Sequence, residues 1–444
     1  MTQTGAPPHP APRRADEQRQ LRAALSPRVA GPHLAAAVEG PPGPRICRVL
    51  DARYDPGISC SVLYALGERI VLGELRWDRA GAPARGGRWI EALGMSVHPF
   101  PDDPALPGLA ACFEPGRLGL ALRGALAERA GDADVVRCRV VPVRYRPGRR
   151  CTLRLDLTVR RGRSGRAAGR RFYAKLYHDA AKAAAVFSEM RALGADPGLR
   201  AAGTSVAEAV ALVPELAMVV QEPLPGTPLD ALLRPSRAAG PALTGGVERA
   251  ARALASLHSG GATSARRRPP EEALEKLDAR ARRIGEVAPS LGAEMAAAVR
   301  ALAAGVPRDG SPHVLVHGDC KPSQFLLAPG GTGILDFDHC AMADPASDVG
   351  TFVASLRQAD VRRSLRSAPR PPTPLRPLEG RFLRAYLDAA PSSDAVLERA
   401  GWYVAAALLR KAQRSFARSL VSPLPGALTR QALGCLASPS AAHS

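Results

Sequence analysis

The largely helical second half of the chain is broken twice by short apolar runs, HVLVHGD at 313–319 and GILDFD at 333–338. Runs of this length read as short strands. Each delivers an acid at or near its end, Asp319 and, seventeen residues on, Asp336, with Gln324 between them. A fold that buries both runs is expected to set the two carboxylates at the ends of neighbouring strands, giving an oxygen-donor set. Such donors suit Mg²⁺, which keeps several waters and takes one or two carboxylates plus substrate phosphates.

At 444 residues the chain is long enough for two or three globular units. Residues 1–40 are Pro/Ala/Arg-rich without a sustained period, so a disordered tail is expected, with one short helix around Asp16 to Leu25. From Arg45 the text changes to β-like runs joined by Pro-Gly and Gly turns. One unit occurs twice: RYDPGISCSVLYAL from Arg53 aligns with RYRPGRRCTLRLDL from Arg144, and Glu74-Leu-Arg-Trp-Asp lies opposite Lys175-Leu-Tyr-His-Asp. Residues 41–135 therefore read as an N-terminal, β-containing, cap-like module that is a degenerate repeat of the hairpin in residues 136–222. In that first copy Glu74 would repel a phosphate. The second copy has a longer turn, RRGRSGRAAG, and DAAKAAAVFSEMRAL after its third strand is a helix. Residues 223–444 are mostly helical, with a Pro-rich surface loop around 367–377.

The chain carries 61 Lys+Arg against 41 Asp+Glu, a net charge of +20. A balance of that kind usually points to nucleic acid or an anionic surface. Here 56 of the cations are Arg and 5 are Lys, and the Arg residues are spread along the chain without interleaved aromatics. That pattern is compositional bias rather than a binding patch, so nucleic acid is disfavoured as a partner. Against such a background a Lys marks a place where a compact, flexible ammonium is wanted, which singles out Lys175 and Lys321. Eight cysteines without a CxxC pair argue against zinc and against a disulfide framework. With no apolar leader and no run of about 18 apolar residues, the chain reads as soluble and cytoplasmic, with no membrane partner.

His317-Gly-Asp-Cys-Lys-Pro-Ser-Gln324, followed by Ile334-Leu-Asp-Phe-Asp338 and Asp344-Pro-x-x-x-Asp348, resembles the HGDxxxxN and [IL]DF[DE] motifs of the aminoglycoside phosphotransferase and choline kinase family. The resemblance covers roughly Val140 to Arg418. It implies an α+β, protein-kinase-like, two-lobed fold: a small β-rich N-lobe at 136–222, a helical C-lobe at 223–444, and an extra N-terminal β-containing module. The departure is Gln324, where most members have Asn; bacterial maltokinases look similar at this position. An amide oxygen is retained on a longer side chain.

Carried over residue by residue, the resemblance implies that Asp319 orients the acceptor hydroxyl and takes its proton. Lys321 would neutralise the transferring phosphate, and Gln324 and Asp336 would hold Mg²⁺ against the phosphates of ATP. Lys175, in the strand FYAKLY, resembles the lysine that contacts the α- and β-phosphates, and Glu189 its helix partner. The turn Arg146-Pro-Gly-Arg-Arg150 stands where a phosphate-covering loop would be. It has one glycine, Gly148, so backbone cradling is weak and Arg149 or Arg150 would supply cations instead. In VVQEPLPG, which resembles the adenine-reading hinge, Pro223 has no N–H, leaving the Glu222 carbonyl and the Leu224 N–H. His317 and His258 are expected to be structural, and Asp348 to cap the next helix or brace the catalytic loop.

The activity implied is an ATP- and Mg²⁺-dependent phosphotransfer to a hydroxyl of a sugar-like or amino-alcohol small molecule. The alternative is a weak or inactive kinase-like module that binds a nucleotide or a protein. Only Asp360, Glu379, Asp388, Asp394 and Glu398 are acidic between Thr351 and Ser444. That scarcity argues against a polycationic acceptor and for a neutral or anionic one.

Overall fold

In a computed structural model of the chain, the described residues are 14–38, 46–78, 87–114, 116–130, 133–161, 167–233, 240–307, 313–366, 375–390 and 394–437. The first thirteen residues, the tip of the Arg/Gly turn and most of the Pro-rich loop expected from sequence lie outside them. Helices α1 (Arg14–Leu25) and α2 (Pro27–Ala37) precede strands β1 (Cys47–Asp55), β2 (Ser59–Leu66), β3 (Arg69–Arg76), β4 (Arg88–Ile90) and β5 (Met95–Pro99). Helices α3 (Gly108–Ala111) and α4 (Arg117–Ala130) lead to β6 (Ala133–Arg146), β7 (Arg150–Arg161) and β8 (Ala167–Leu176). Next come α5 (Ala180–Ala195), α6 (Pro197–Ala201), β9 (Thr204–Val206), β10 (Ala209–Val213), β11 (Met218–Gln221), β12 (Thr227–Pro228) and α7 (Leu229–Leu232). The remainder is α8 (Pro241–Ser259), α9 (Pro270–Val287), α10 (Pro289–Ala304), β13 (Val314–Val316), β14 (Phe325–Ala328), β15 (Gly331–Ile334), β16 (Ala341–Ala343), α11 (Ala346–Ser364), α12 (Arg376–Ala389), α13 (Asp394–Phe416) and α14 (Leu424–Ala437).

The chain divides into a β-rich unit, residues 1–183 with 212–220 and 417–420, and a mostly helical unit made of the rest. This is the α+β, kinase-like composition that the motifs imply.

The β-rich unit holds two five-stranded sheets of the same topology. Their orders are β1-β2-β3-β5-β4 and β6-β7-β8-β11-β10. The correspondence extends to register: Tyr54 faces Cys60 and Ser61 faces Glu74 in the first, while Tyr145 faces Cys151 and Thr152 faces Lys175 in the second. Before the last strand of each, a 3₁₀ turn ends on a left-handed residue, Gly94 at φ 58° and Ala217 at φ 48°. In the second sheet the helical segment α5–α6 and strand β9 come between the third and fourth strands; in the first, residues 77–87 make the corresponding connection. The first sheet carries Glu74 at the Lys175 position, and burial raises that carboxyl's pKa.

From residue 14 onward the N-terminal segment forms α1 over the stretch expected as a short helix, and α2 after it. Leu21, Ala24, Ala30 and Leu34 are buried, and Trp77 Nε1 donates to Gln20 Oε1 at 2.8 Å. The Tyr64 hydroxyl donates to the Ala24 carbonyl at 2.6 Å. These apolar positions recur at three to six residues and cover one sheet face, a pattern thinned by the Pro and Arg between them. Pro27 is tolerated because it opens α2, where an N–H would have no helical partner.

In the helical unit α8 packs on α12, α11 on α13, and α9 on α10. The Ala/Glu/Arg-rich stretch from Glu271 to Ala303 falls in two helices, because Pro289 begins a new one. Phe352 stacks on Phe382 at 4.0 Å between ring centroids and meets Phe325 edge-on at 5.7 Å, tying α11 and α12 to β14. Among the described residues no helix is long and apolar enough to cross a membrane.

Candidate active site

The two apolar runs that carry the acids are not partners. β13 pairs with β16, and β15 pairs with β14 and, in parallel, with β9. The expectation of neighbouring strands is thus replaced by two separate pairings, a β14–β15 hairpin and a β13–β16 ladder that encloses it in the chain, and side chains join the two loops.

His317 makes the first join. Its Nε2 lies 2.7 Å from the Leu335 carbonyl, and its Nδ1 is 3.2 Å from the Asp319 N–H. Those partners fix a neutral ring that donates through Nε2 and accepts at Nδ1. Gln324 makes the second, with Nε2 3.2 Å from Asp336 Oδ2, while the Leu335 N–H donates to the Gln324 carbonyl at 2.8 Å. Asp336 adopts φ 71° and ψ 60°, a left-handed conformation costly for a residue with a Cβ, and held here by the loop around it.

Asp348, in the first turn of α11, is fully buried. Its carboxylate accepts the His317 N–H at 2.5 Å and the Gly318 N–H at 2.9 Å, and its Oδ2 lies 3.3 Å from His258 Nε2. Burial alone would raise this carboxyl, but its hydrogen bonds to the His258 ring and to the His317 N–H hold it below the usual range. Asp348 therefore braces the loop; the turn before α11 is closed by Asp344, whose Oδ1 accepts the Ala346 N–H. His258 Nδ1 is bonded to the Tyr386 hydroxyl at 2.8 Å, so it is a packed residue. Gly318 sits at φ 74°, and a Cβ there would fall 2.1 Å from the His339 carbonyl oxygen, which requires glycine.

Asp319, 8% exposed, forms an ion pair with Lys321. Burial would raise its pKa. The Lys321 ammonium, with Arg414 and Arg410 behind it, overrides that and holds the carboxyl well below the carboxylate range. Asp319 and Gly318 lie on the wall of a cavity of about 500 Å³ formed by α9, α13 and the segment 266–270.

Glu189 on α5 reaches the same loops. Its Oε1 accepts the Ser264 hydroxyl at 2.6 Å and its Oε2 the Cys340 thiol at 3.0 Å, two contacts with no signal in the sequence. In the segment expected as the hinge, the Glu222 N–H donates to the Glu208 carbonyl at 2.9 Å. Leu224 packs on β15, where a Cβ on Gly333 would fall 2.4 Å from its Cδ2.

The remaining expected residues belong to the β-rich unit. Lys175 is half-buried on β8, opposite Thr152. Arg150 is buried and Arg149 exposed at the β6–β7 turn. Gly148 takes φ 67°, and its N–H donates to Asp103 Oδ2 at 2.8 Å. That N–H is held by the protein's own carboxylate.

With the Gln324 amide turned so that its oxygen rather than Nε2 lies beside Asp336 Oδ2, the pair fits a divalent cation. Gln324 and Asp336 put an amide and a carboxylate side by side, and hard oxygen donors are what Mg²⁺ prefers. Among the described residues no group of three or more His, Cys, Asp or Glu could hold a metal alone, so phosphate oxygens would complete the set.

The family model described as "Phosphotransferase enzyme family" matches residues 154–395, more than half of the chain. No curated protein matches. Among solved structures, a choline/ethanolamine kinase family protein from Mesorhizobium loti is 18% identical, covering 65% of this chain and 84% of its own, with a TM-score of 0.38. Choline kinase from Cryptosporidium parvum is 12% identical over 67% of this chain and 88% of its own, TM-score 0.46. A macrolide 2'-phosphotransferase from Brachybacterium faecium is 19% identical over 72% and 97%, TM-score 0.38. With the motif residues assembled around Asp319 and the family model spanning them, the chain belongs to the phosphotransferase enzyme family.

Proposed function

We propose that the protein transfers the γ-phosphoryl group of ATP to a hydroxyl of a sugar-like small molecule. The observation that carries this reading is Asp319: buried, ionised, on the wall of an open cavity, and in the loop that also supplies Lys321 and Gln324. An acceptor hydroxyl in that cavity donates its proton to the Asp319 carboxylate as its oxygen bonds to Pγ. The bond from Pγ to the β-phosphate oxygen breaks, and ADP leaves. A carboxylate with so low a pKa is a weak base. Its main contribution is to orient the hydroxyl, as suits a loose transition state with little proton transfer before bond making.

Lys321 screens charge on the transferring group. Gln324 and Asp336 would hold Mg²⁺, which when bound neutralises the phosphates. Lys175 contacts the α- and β-phosphates, and Arg149 or Arg150 adds positive charge at the turn. The Glu222 carbonyl and Leu224 N–H face the adenine. The cations around the cavity disfavour the amino-alcohol class, since like charges across a binding surface are costly.

The test is ADP formation with ATP and Mg²⁺ across neutral, acidic and basic hydroxyl compounds, for the native chain and Asp319→Asn. The expected result is acceptor-dependent turnover that falls about 10²–10⁴-fold in the variant. Nucleotide binding with no acceptor phosphorylated would instead support a binding module.

A further inference from the structure

The cavity beside Asp319 has an excess of positive charge that phosphoryl transfer does not use. Seven cationic side chains line it, against the carboxylates of Glu272, Asp319 and Asp348. Each carboxylate is already engaged: Glu272 with Lys276, Asp319 with Lys321, and Asp348 with the His317 and Gly318 N–H groups and His258. Several arginines, by contrast, have neutral partners. Arg268 donates to the Gly318 and His339 carbonyls at 3.0 and 2.8 Å, and Arg410 Nη2 to the Thr351 hydroxyl at 3.2 Å.

Arg410 is the most exacting case. Its Nε is buried and has no hydrogen-bond partner among the described residues. A buried guanidinium donor without an acceptor costs free energy until an anion reaches it. Burial, with Arg414 next to it, pulls the Arg410 pKa down to about 10, and burial with Arg410 pulls Lys411 down to about 7. Burial is the larger cause of both shifts, and the neighbouring cations add to it. The planar guanidinium fork matches the two oxygens of a carboxylate or phosphate, which an ammonium does not. The cavity volume is in the range of small-ligand sites, and Trp402 and Tyr403 supply an apolar wall.

We propose that the acceptor is an oxyanion-bearing alcohol, a sugar acid or a polyol phosphate, whose anionic group is held by Arg410 so that a hydroxyl lies at Asp319. This rests on the phosphotransferase reading above, and two separate readouts keep the two distinguishable.

The first readout is the thermal midpoint of the full chain with glucose, gluconate, glucose 6-phosphate or glucosamine and no nucleotide. The second is ADP formation with the same four compounds, ATP and Mg²⁺. Gluconate or glucose 6-phosphate is expected to raise the midpoint while glucose and glucosamine do not, and the two anions separate carboxylate from phosphate recognition. Arg410→Gln is expected to weaken the responding anion at least tenfold with nucleotide affinity unchanged, and Arg410→Lys to fall between. If Arg410→Gln does not fold, Arg280→Gln on the facing helix α9 is expected to weaken the same anion.

Equal protection by glucose or glucosamine would overturn the proposal. So would an anion shift that survives Arg410→Gln, which would be the diffuse field of the chain, or a loss of nucleotide affinity in that variant. Anion binding at Arg410 without ADP formation from any compound would uphold the pocket and count against the transfer reaction.

Discussion

Asp103 accepts the Tyr145 hydroxyl at 2.8 Å, and the same Oδ2 takes the Gly148 N–H at 2.8 Å. The first sheet repeats the arrangement: Glu17 Oε1 accepts the Tyr54 hydroxyl and the Gly57 N–H, each at 2.8 Å. Both acids are buried and both come from a segment outside the hairpin that they hold. The tyrosine and the glycine belong to the repeated text, RYDPG and RYRPG, whereas the acids do not. Two hairpins of one design have therefore recruited carboxylates from unrelated positions to satisfy the same two donors.

The pair provides an internal control. Asp103→Ala and Glu17→Ala each leave a tyrosine hydroxyl and a turn N–H without this acceptor, and each is expected to cost about 1–3 kcal/mol in denaturant unfolding. Only Asp103→Ala is expected to raise the nucleotide KM, because only its hairpin carries Lys175 on the adjoining strand. A KM rise in Glu17→Ala as well would show that the clamp acts through general stability.

Asp348 holds the catalytic loop through two backbone N–H groups and no side chain of the proposed chemistry. Asp348→Asn keeps the size but replaces an acceptor by a donor facing N–H groups, so the expected loss of stability is on the order of 2 kcal/mol. Because the Gly318 turn would shift Asp319, kcat is expected to fall by about 10–100-fold while nucleotide affinity, read by equilibrium titration, stays put. Loss of nucleotide affinity in parallel with kcat would contradict a role confined to the loop.

Gln324 offers a test of the metal assignment. Gln324→Asn keeps an amide oxygen on a shorter arm, while Gln324→Ala removes it. The alanine variant is expected to need about 10–100-fold more Mg²⁺ for half-maximal turnover, and the asparagine variant a change well below that. Chelation should abolish turnover in the native chain and added Mg²⁺ restore it. A Gln324→Ala variant with an unaltered Mg²⁺ requirement would move the metal site elsewhere.

Much of this arrangement was legible from residue types and spacing, because kinks, turns and acids at fixed separations leave marks in the text. The alternation in FYAKLY marked β8, and the Pro-Gly turns marked both hairpins. Three features were not legible. The pairing of β13 with β16 is set by a return of the chain through Asp336, a left-handed residue with no compositional signature. The clamps of Glu17 and Asp103 join residues about forty positions apart, and either acid alone reads as a surface residue. The cavity cations come from α9, α13 and the 266–268 segment, and in a chain with 56 arginines no single one stands out. Packing selects them by bringing the two helices together.

Lys411 gives the pH dependence of stability a specific sign. It lies on α13 with Nζ 2.9 Å from the Ser355 hydroxyl, and the charges acting on it are Arg410 and Arg414 from its own helix and Asp319 and Lys321 from the catalytic loop. Burial first, then Arg410, lowers its pKa to about 7. Below that pH the lysine is protonated both folded and unfolded, and the cost of the buried charge is present in full. Above it the folded protein releases the proton while the unfolded chain keeps it up to the ordinary lysine range, so stability rises with pH. Buried thiols act in the opposite sense: burial pushes Cys60, Cys112 and Cys151 up to about 12, so unfolded thiols ionise first and stability falls above about pH 8.5. The thermal midpoint is therefore expected to climb between about pH 7 and pH 8.5 and then turn down. Lys411→Met should flatten the climb and raise the midpoint at pH 7 without moving the descent. A climb that persists unchanged in Lys411→Met would assign the titration to another group.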